Sequence, residues 1–136
     1  MTDITPSIDP RREDLPALLA RLPSGQPVVM LNLLRFRERA EYLDSDEEVS
    51  GVEAYQRYSE RAGAFVAAVG GELQWLGSAR SPLIAPPGED WHKVMLVRYP
   101  SIEKFVEMLR DPDYQAITFH RTAALSDSRL IACLED

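Results

Sequence analysis

LRDPDYQAITFHR, residues 109 to 121, gathers two aspartates, a tyrosine, a histidine and two arginines into thirteen positions. Carboxylates, a phenol and an imidazole this close together are the residue types of general acid and base chemistry, and arginine is the type that binds a carboxylate or phosphate. Pro112 gives the stretch a second reading. It has no backbone N–H to donate and fits the first position of a helix, which makes Asp111 an N-cap carboxylate. The helix that follows puts Tyr114, Ile117, Arg121 and Leu125 on one face by three- and four-residue spacing, with His120 offset from it. The apparent acid-base cluster thereby reduces to Tyr114 and Arg121.

Two further positions could hold a ligand. Asn32 is a polar amide inside the apolar run VVMLNLLRF, residues 28 to 36, where burial without partners is costly. It either bonds a neighbouring loop or a second copy of the chain, or points into a cavity and orients a ligand oxygen. Arg98, near the end of another strand, and Arg35 offer a cation to a carboxylate ligand or pair with one of the 22 acidic residues. Tyr58, one turn after Tyr55, could place its hydroxyl toward the sheet, and Trp75 and Trp91 could wall a ligand pocket or fill the dimer core; packing is the default reading for all three. Asn32, Arg98, Tyr114 and Arg121 are the ligand-binding candidates, and no residue is assigned to a reaction.

Other chemistries lack a pattern. His92 and His120 are distant in sequence, and zinc would need three or four ligands completed by the lone Cys133 and carboxylates. No spacing motif offers them, so no metal site is expected. A haem iron needs a single histidine, which keeps His120 open as an axial ligand against the plainer reading of a surface histidine on a helix. Cys133, in RLIACLE, reads as an inert buried thiol with no base beside it. GxSxG, GxGxxG and a phosphate loop are all absent. Acyl transfer and nucleotide-dependent chemistry have no support, and no cofactor is expected.

The charge balance narrows the partners. With 15 basic and 22 acidic residues the net charge is −7, which repels a phosphate backbone unless the basic groups are segregated into a patch. RFRER, residues 35 to 39, is the densest basic stretch, yet Glu41, Asp44, Asp46, Glu47 and Glu48 follow it closely, as on a solvated face. Nucleic acid is not an expected partner. The N-terminal MTDITPSIDPRREDLP lacks a basic-then-apolar signal pattern, and no apolar run approaches the ~20 residues that span a bilayer. A cytoplasmic protein without a membrane partner is expected.

These residues must be positioned by one folding unit, since 136 residues suffice for a single core. LDSDEEVSG, residues 43 to 51, is the one disorder-like run. REDLPALLARL, residues 12 to 22, has helical spacing and is stopped by PSGQP. VVMLNLLRF is the first strand. Ser50 and Glu53 then have capping-box spacing, and Val52, Tyr55, Ala62, Phe65, Val66 and Val69 continue a long amphipathic helix to Gly70 and Gly71. ELQWLGSA, 72 to 79, is a second strand, SPLIAPPGED a loop, and WHKVMLVRY, 91 to 99, a third strand. Ser101 caps a helix with Phe105, Val106, Met108 and Leu109 as its buried stripe. After the Pro112 restart, SDSRLIACLE is the fourth strand.

The order βαββαβ with a helix in front predicts a ferredoxin-like α+β sandwich, both helices lying on one face of a four-stranded antiparallel sheet. Residues 1 to 26 form an N-terminal extension and 27 to 136 the domain. The strands are apolar on both sides. Val29, Leu31 and Leu33 alternate with Val28, Met30 and Leu34; Val94 and Leu96 alternate with Met95, Val97 and Tyr99; Leu130, Ala132 and Leu134 alternate with Ile131 and Cys133. At ~25 cal/mol per Å2, a few hundred Å2 of wet apolar sheet forfeits energy comparable with a small domain's whole stability. A second copy of the same sheet is the economical cover, which predicts a homodimer.

VVMLNLLRF, EAYQRYSERA, VAAVGGELQWLG, and VMLVRYPSIEKFVEMLRDPDYQAI followed by RTAALSDSRLIA together resemble the dimeric α/β-barrel superfamily, and more narrowly the family called domain of unknown function 1330. The strand, Pro-Ser and DPxYQ arrangement is the most specific part, and the resemblance covers about residues 27 to 134. It implies a dimeric barrel similar in fold to cofactor-free monooxygenases, haem-degrading enzymes and small isomerases or dehalogenases, from a family with no agreed reaction. The N-terminal helix and the acidic loop are additions to its shorter members. The expected function is binding or transformation of a small, partly apolar organic molecule between sheet and helices. A non-catalytic dimeric module and a haem-binding protein are the alternatives.

Overall fold

The computed structural model describes residues 7–136; the first six residues of the N-terminal stretch lie outside them. α1 (Leu15–Arg21) leads into β1 (Val28–Phe36), α2 (Gly51–Ala68), β2 (Glu72–Ser78), β3 (Lys93–Tyr99), α3 (Ile102–Arg110), α4 (Pro112–Gln115), α5 (Thr118–Ala124) and β4 (Leu125–Cys133). The strands form one antiparallel sheet in the order β2-β3-β1-β4. This is the expected ferredoxin-like arrangement.

The helix starts follow their caps. Ser50 accepts the Glu53 N–H at 3.0 Å, Ser101 accepts the Lys104 N–H at 3.2 Å, and Asp111 accepts the Asp113 N–H at 2.8 Å just ahead of Pro112. α1 begins later than its periodicity predicts, after a 3-10 turn at Arg12–Asp14. An α-helix running from Arg12 would need an N–H at position 16, where Pro16 has none.

The continuous helix expected from Pro112 to Leu125 is divided, and Leu125 belongs to β4. At the break, the Ala116 N–H bonds Pro112 O and the Ile117 N–H bonds Tyr114 O, tightening the turn. At the far end, the carbonyls of Ala123 and Ala124 accept N–H groups from Glu41 and Arg37, both at bond lengths of 2.8–2.9 Å. The helix thus ends against another segment of chain, and β4 starts at once. Gly51 sits at the same junction: a Cβ there would lie 2.2 Å from Arg37 O and 2.7 Å from Ala124 O. Three backbone segments meet where only glycine fits.

The acidic loop has neither helix nor strand, yet it is pinned. Ala40 N–H bonds Val49 O at 2.9 Å, Arg39 pairs with Glu48 at 3.2 Å, and Arg57 holds Glu47 through bonds of 2.6 and 3.1 Å. That bidentate partner holds the Glu47 carboxyl below its ordinary pKa. Arg37 and Arg39 of the basic run are therefore paired with the acids that follow them.

One sheet face carries the helices. Val28, Met30 and Leu34 of β1 and Val97 and Tyr99 of β3 are buried there against Ile102, Phe105, Val106 and Met108 of α3, Tyr114 and Ile117, and Ala54 and Tyr55 of α2. Leu15, Leu18, Leu19 and Leu22 pack the N-terminal helix onto the same core. No helix among the described residues is long and apolar enough to cross a membrane.

Candidate ligand-binding cleft

Register decides which polar side chains meet. β1 pairs Met30 with Val97 and Asn32 with Met95, while β4 places Ala132, Leu130 and Ser128 opposite Met30, Asn32 and Leu34. All of these share the helix-covered face, because alternate residues of a strand point the same way. Between this face and the helices runs a cleft of about 1580 Å3 whose lining includes Asn32, Tyr55, Tyr58, Tyr114, Arg121 and Ser128. Three of the four ligand candidates, Asn32, Tyr114 and Arg121, come together there. Arg98 does not: it pairs with Val29 and Glu72, out of phase with Asn32, and lies on the opposite face.

The Asn32 amide is half-buried, and its Nδ2 donates to Met30 O at 3.3 Å. That single long bond, made within its own strand, leaves acceptor and donor capacity of the amide directed to the cleft. Tyr114 sits on α4 because Asp111 and Pro112 start a helical turn there, and its hydroxyl lies 2.6 Å from that of Tyr58 on α2. One hydroxyl donates to the other, so the pair retains one further O–H for a ligand. Burial is the main cause that pushes the phenols of Tyr55, Tyr58, Tyr99 and Tyr114 above the usual range, with the nearby Arg121 charge opposing it at Tyr55, Tyr58 and Tyr114. Neutral at physiological pH, these groups act as hydrogen-bond donors and acceptors rather than bases.

Arg121, on α5, is almost buried. Its Nη1 donates to Ile8 O and, at 3.3 Å, to Asp9 Oδ1, and its Nη2 donates to Ser128 Oγ at 3.4 Å. Residues 7 to 9 are held in place by β4: Ser7 N–H bonds Asp127 Oδ1 at 2.8 Å, and Ser128 Oγ donates to the carbonyls of Ser7 and Ile8, both at 2.9 Å. Asp127 is desolvated, but the Ser7 N–H and the Arg129 guanidinium outweigh this and hold its pKa below the ordinary value. The N-terminal segment therefore borders the cleft, which also takes lining residues from α1.

Sequence reasoning assigned Tyr58 to packing, whereas its hydroxyl pairs with Tyr114; the three-residue spacing from Tyr55 was the available signal. Ser128 and Asp9 carried none, because their roles arise from contacts over 100 residues apart in the chain for Asp9 and from strand register for Ser128. His120 leaves the cleft entirely. Its Nδ1 lies 2.7 Å from the Tyr42 hydroxyl, and burial, followed by the charges of Arg61 and Arg57, lowers its pKa. His92 accepts the Phe36 N–H at 3.0 Å at the end of β1. Trp91 bonds Glu89 and lies under the Arg129 guanidinium, 5.2 Å from the ring centroid. No group of three or more His, Cys, Asp or Glu side chains suited to a metal ion occurs among the described residues.

No curated protein matches the sequence. Among solved structures, RPA0582, a protein of unknown function from Rhodopseudomonas palustris, is 42% identical over 97% of this chain and 100% of its own, with a TM-score of 0.87. A dimeric protein of unknown function with a ferredoxin-like fold from Bacteroides fragilis is 11% identical over 83% of this chain and 100% of its own, with a TM-score of 0.53. A hydroxynitrile lyase from Passiflora edulis is 10% identical over 82% of this chain and 95% of its own, with a TM-score of 0.55. The last two similarities concern the fold alone. The family model described as Domain of unknown function (DUF1330) matches residues 41–133, from just before the acidic loop to the end of β4, and the chain belongs to that family.

Proposed function

We propose that this protein is a homodimer that binds a small, partly apolar organic molecule in the cleft between sheet and helices, without a cofactor. The observation that carries the reading is Asn32. A half-buried amide with one long bond to its own strand is a poor structural element, but it is a suitable donor for a ligand carbonyl. The Tyr58–Tyr114 pair adds a neutral hydroxyl, and Met30, Met95 and Val97 supply apolar walls.

The dimer reading is supported by the other sheet face. Trp75 is 53% exposed and Ile131 48% exposed, and half-buried Val29, Leu31, Leu33 and Leu96 adjoin them. A contiguous apolar sheet face is the surface expected to meet a second copy. The dimeric Bacteroides fragilis protein has the same fold.

Asn32→Leu separates a binding role from a structural one. Replacing a poorly bonded amide by an apolar side chain on a covered face should leave thermal stability unchanged or raised. The same change should weaken 2-naphthamide, a bicyclic carbonyl probe, about fivefold in a calorimetric titration, the scale of one neutral hydrogen bond. A variant that melts well below the parent, or a parent that shows no saturable probe binding, would support a purely structural module instead.

A further inference from the structure

We infer that the Arg121 end of the cleft is an anion subsite, that the ligand is an organic carboxylate with an apolar body, and that Asp9 occupies the subsite until that ligand displaces it. The inference rests on the cleft being the ligand site.

The polarity of the cleft is graded along β1. Ser128, opposite Leu34, holds Arg121 at one end; Asn32 comes next; Met30, opposite Val97, and then Tyr99 and Phe105 continue the wall toward the apolar end. A molecule with one anionic end and an apolar body matches that sequence of surfaces. The Arg121 side chain is only 11% exposed, and a guanidinium so far removed from water needs a negative partner.

The partner it has is incomplete. A well-formed arginine–carboxylate pair makes two parallel bonds of ~2.7–2.9 Å. Here Nη1 donates to the Ile8 carbonyl and meets Asp9 through a single oxygen at 3.3 Å, and Nη2 reaches Ser128 at 3.4 Å, so no bidentate carboxylate pair is formed. Asp9 divides its attachment, since both its oxygens also accept the Thr122 hydroxyl at 3.1 and 3.0 Å. Its side chain is 44% exposed and belongs to a segment without helix or strand. The backbone anchors at Ser7 and Ile8 do not involve the Asp9 carboxylate. Asp9 can therefore turn to water, keeping its backbone in place, while an incoming carboxylate takes the guanidinium. The group already at Arg121 is a carboxylate, which is why a carboxylate is assigned to the ligand.

The test is calorimetric titration of the full chain at pH 7.5 with 2-naphthoate and with its neutral counterpart 2-naphthamide. Naphthoate should bind about tenfold more tightly than the amide, the scale of one charge-assisted hydrogen bond. Arg121→Gln should bring the two probes to equal affinity. Asp9→Asn, which removes the competing charge and leaves Arg121 intact, should raise naphthoate affinity about fivefold and leave the amide unchanged. Equal affinity of the probes for the parent, or an Asp9→Asn protein that binds naphthoate more weakly, overturns the subsite while the cleft reading stands. No saturable binding of either probe overturns both.

Discussion

The two faces of the sheet invert the usual distribution of polarity. The face that the helices cover holds an asparagine, a pair of bonded tyrosine hydroxyls and an almost buried arginine around a cleft. The face without helices carries Trp75, Ile131, Leu31 and Leu96. Polar groups under cover and apolar groups in the open each run against the solvation preference of the monomer. On the proposed reading, a ligand accounts for the covered polar groups and a second copy of the chain for the open apolar ones. A single β-strand alternation serves both purposes, because one residue of displacement separates a side chain of the cleft from one of the outer face.

The largest expected effect comes from removing the cover itself. Gly51→Ala would push a methyl into the backbones of Arg37 and Ala124, where α2 joins the sheet layer. A loss of about 3 kcal/mol or more in urea denaturation is expected, the upper range for overpacking, because backbone rather than a flexible side chain must yield. An unchanged midpoint would show that the covering layer is attached more loosely than the three-backbone junction implies.

Next in size is the open face. Ile131→Asp places a charge among its apolar residues and should weaken self-association about a hundredfold, with sedimentation showing a 15.3 kDa species at micromolar concentration. Naphthamide binding should change little, since Ile131 points away from the cleft. If the variant loses the ligand together with the partner, the two faces are coupled and the separation drawn between them is wrong.

The smallest effect concerns His120, which lies under cover but outside the cleft. Its pKa is depressed in the fold, so the unfolded chain binds the proton more readily. The stability this contributes is complete above the ordinary histidine value of ~6.5 and is lost as pH falls through that value toward the lowered folded one. Thermal melts between pH 8 and 5 should show the decline in the parent more than in His120→Gln, with naphthamide affinity following the same pH course in both. A pH dependence of probe binding that disappears with His120 would bring this residue into the binding site.

Much of the chain is legible locally. VVMLNLLRF coincides with β1, and Ser50, Ser101 and Asp111 cap the helices their positions indicate. These features depend on side-chain period and on hydrogen bonds that reach no more than three residues. The end of the last helix at Ala124 was not legible, because Arg37 and Glu41, distant in sequence, take the carbonyls there. The same limit applies to the site: Tyr114 and Arg121 could be placed on one side by helical spacing, whereas Tyr58 gained its role only when α2 came to lie across α4.

By itself, then, the sequence determined the order of elements, their caps, the two-sided apolarity of the strands and the presence of an amide where an apolar residue was due. Each follows from interactions between near neighbours or from a period of two or 3.6 residues. Tertiary structure alone decided that Asn32 faces the helices and Arg98 does not, since strand register sets that choice. It alone brought Asp9 to Arg121 across 112 positions of sequence. Nothing local encodes such a contact, because its energy exists only once the intervening sheet has formed.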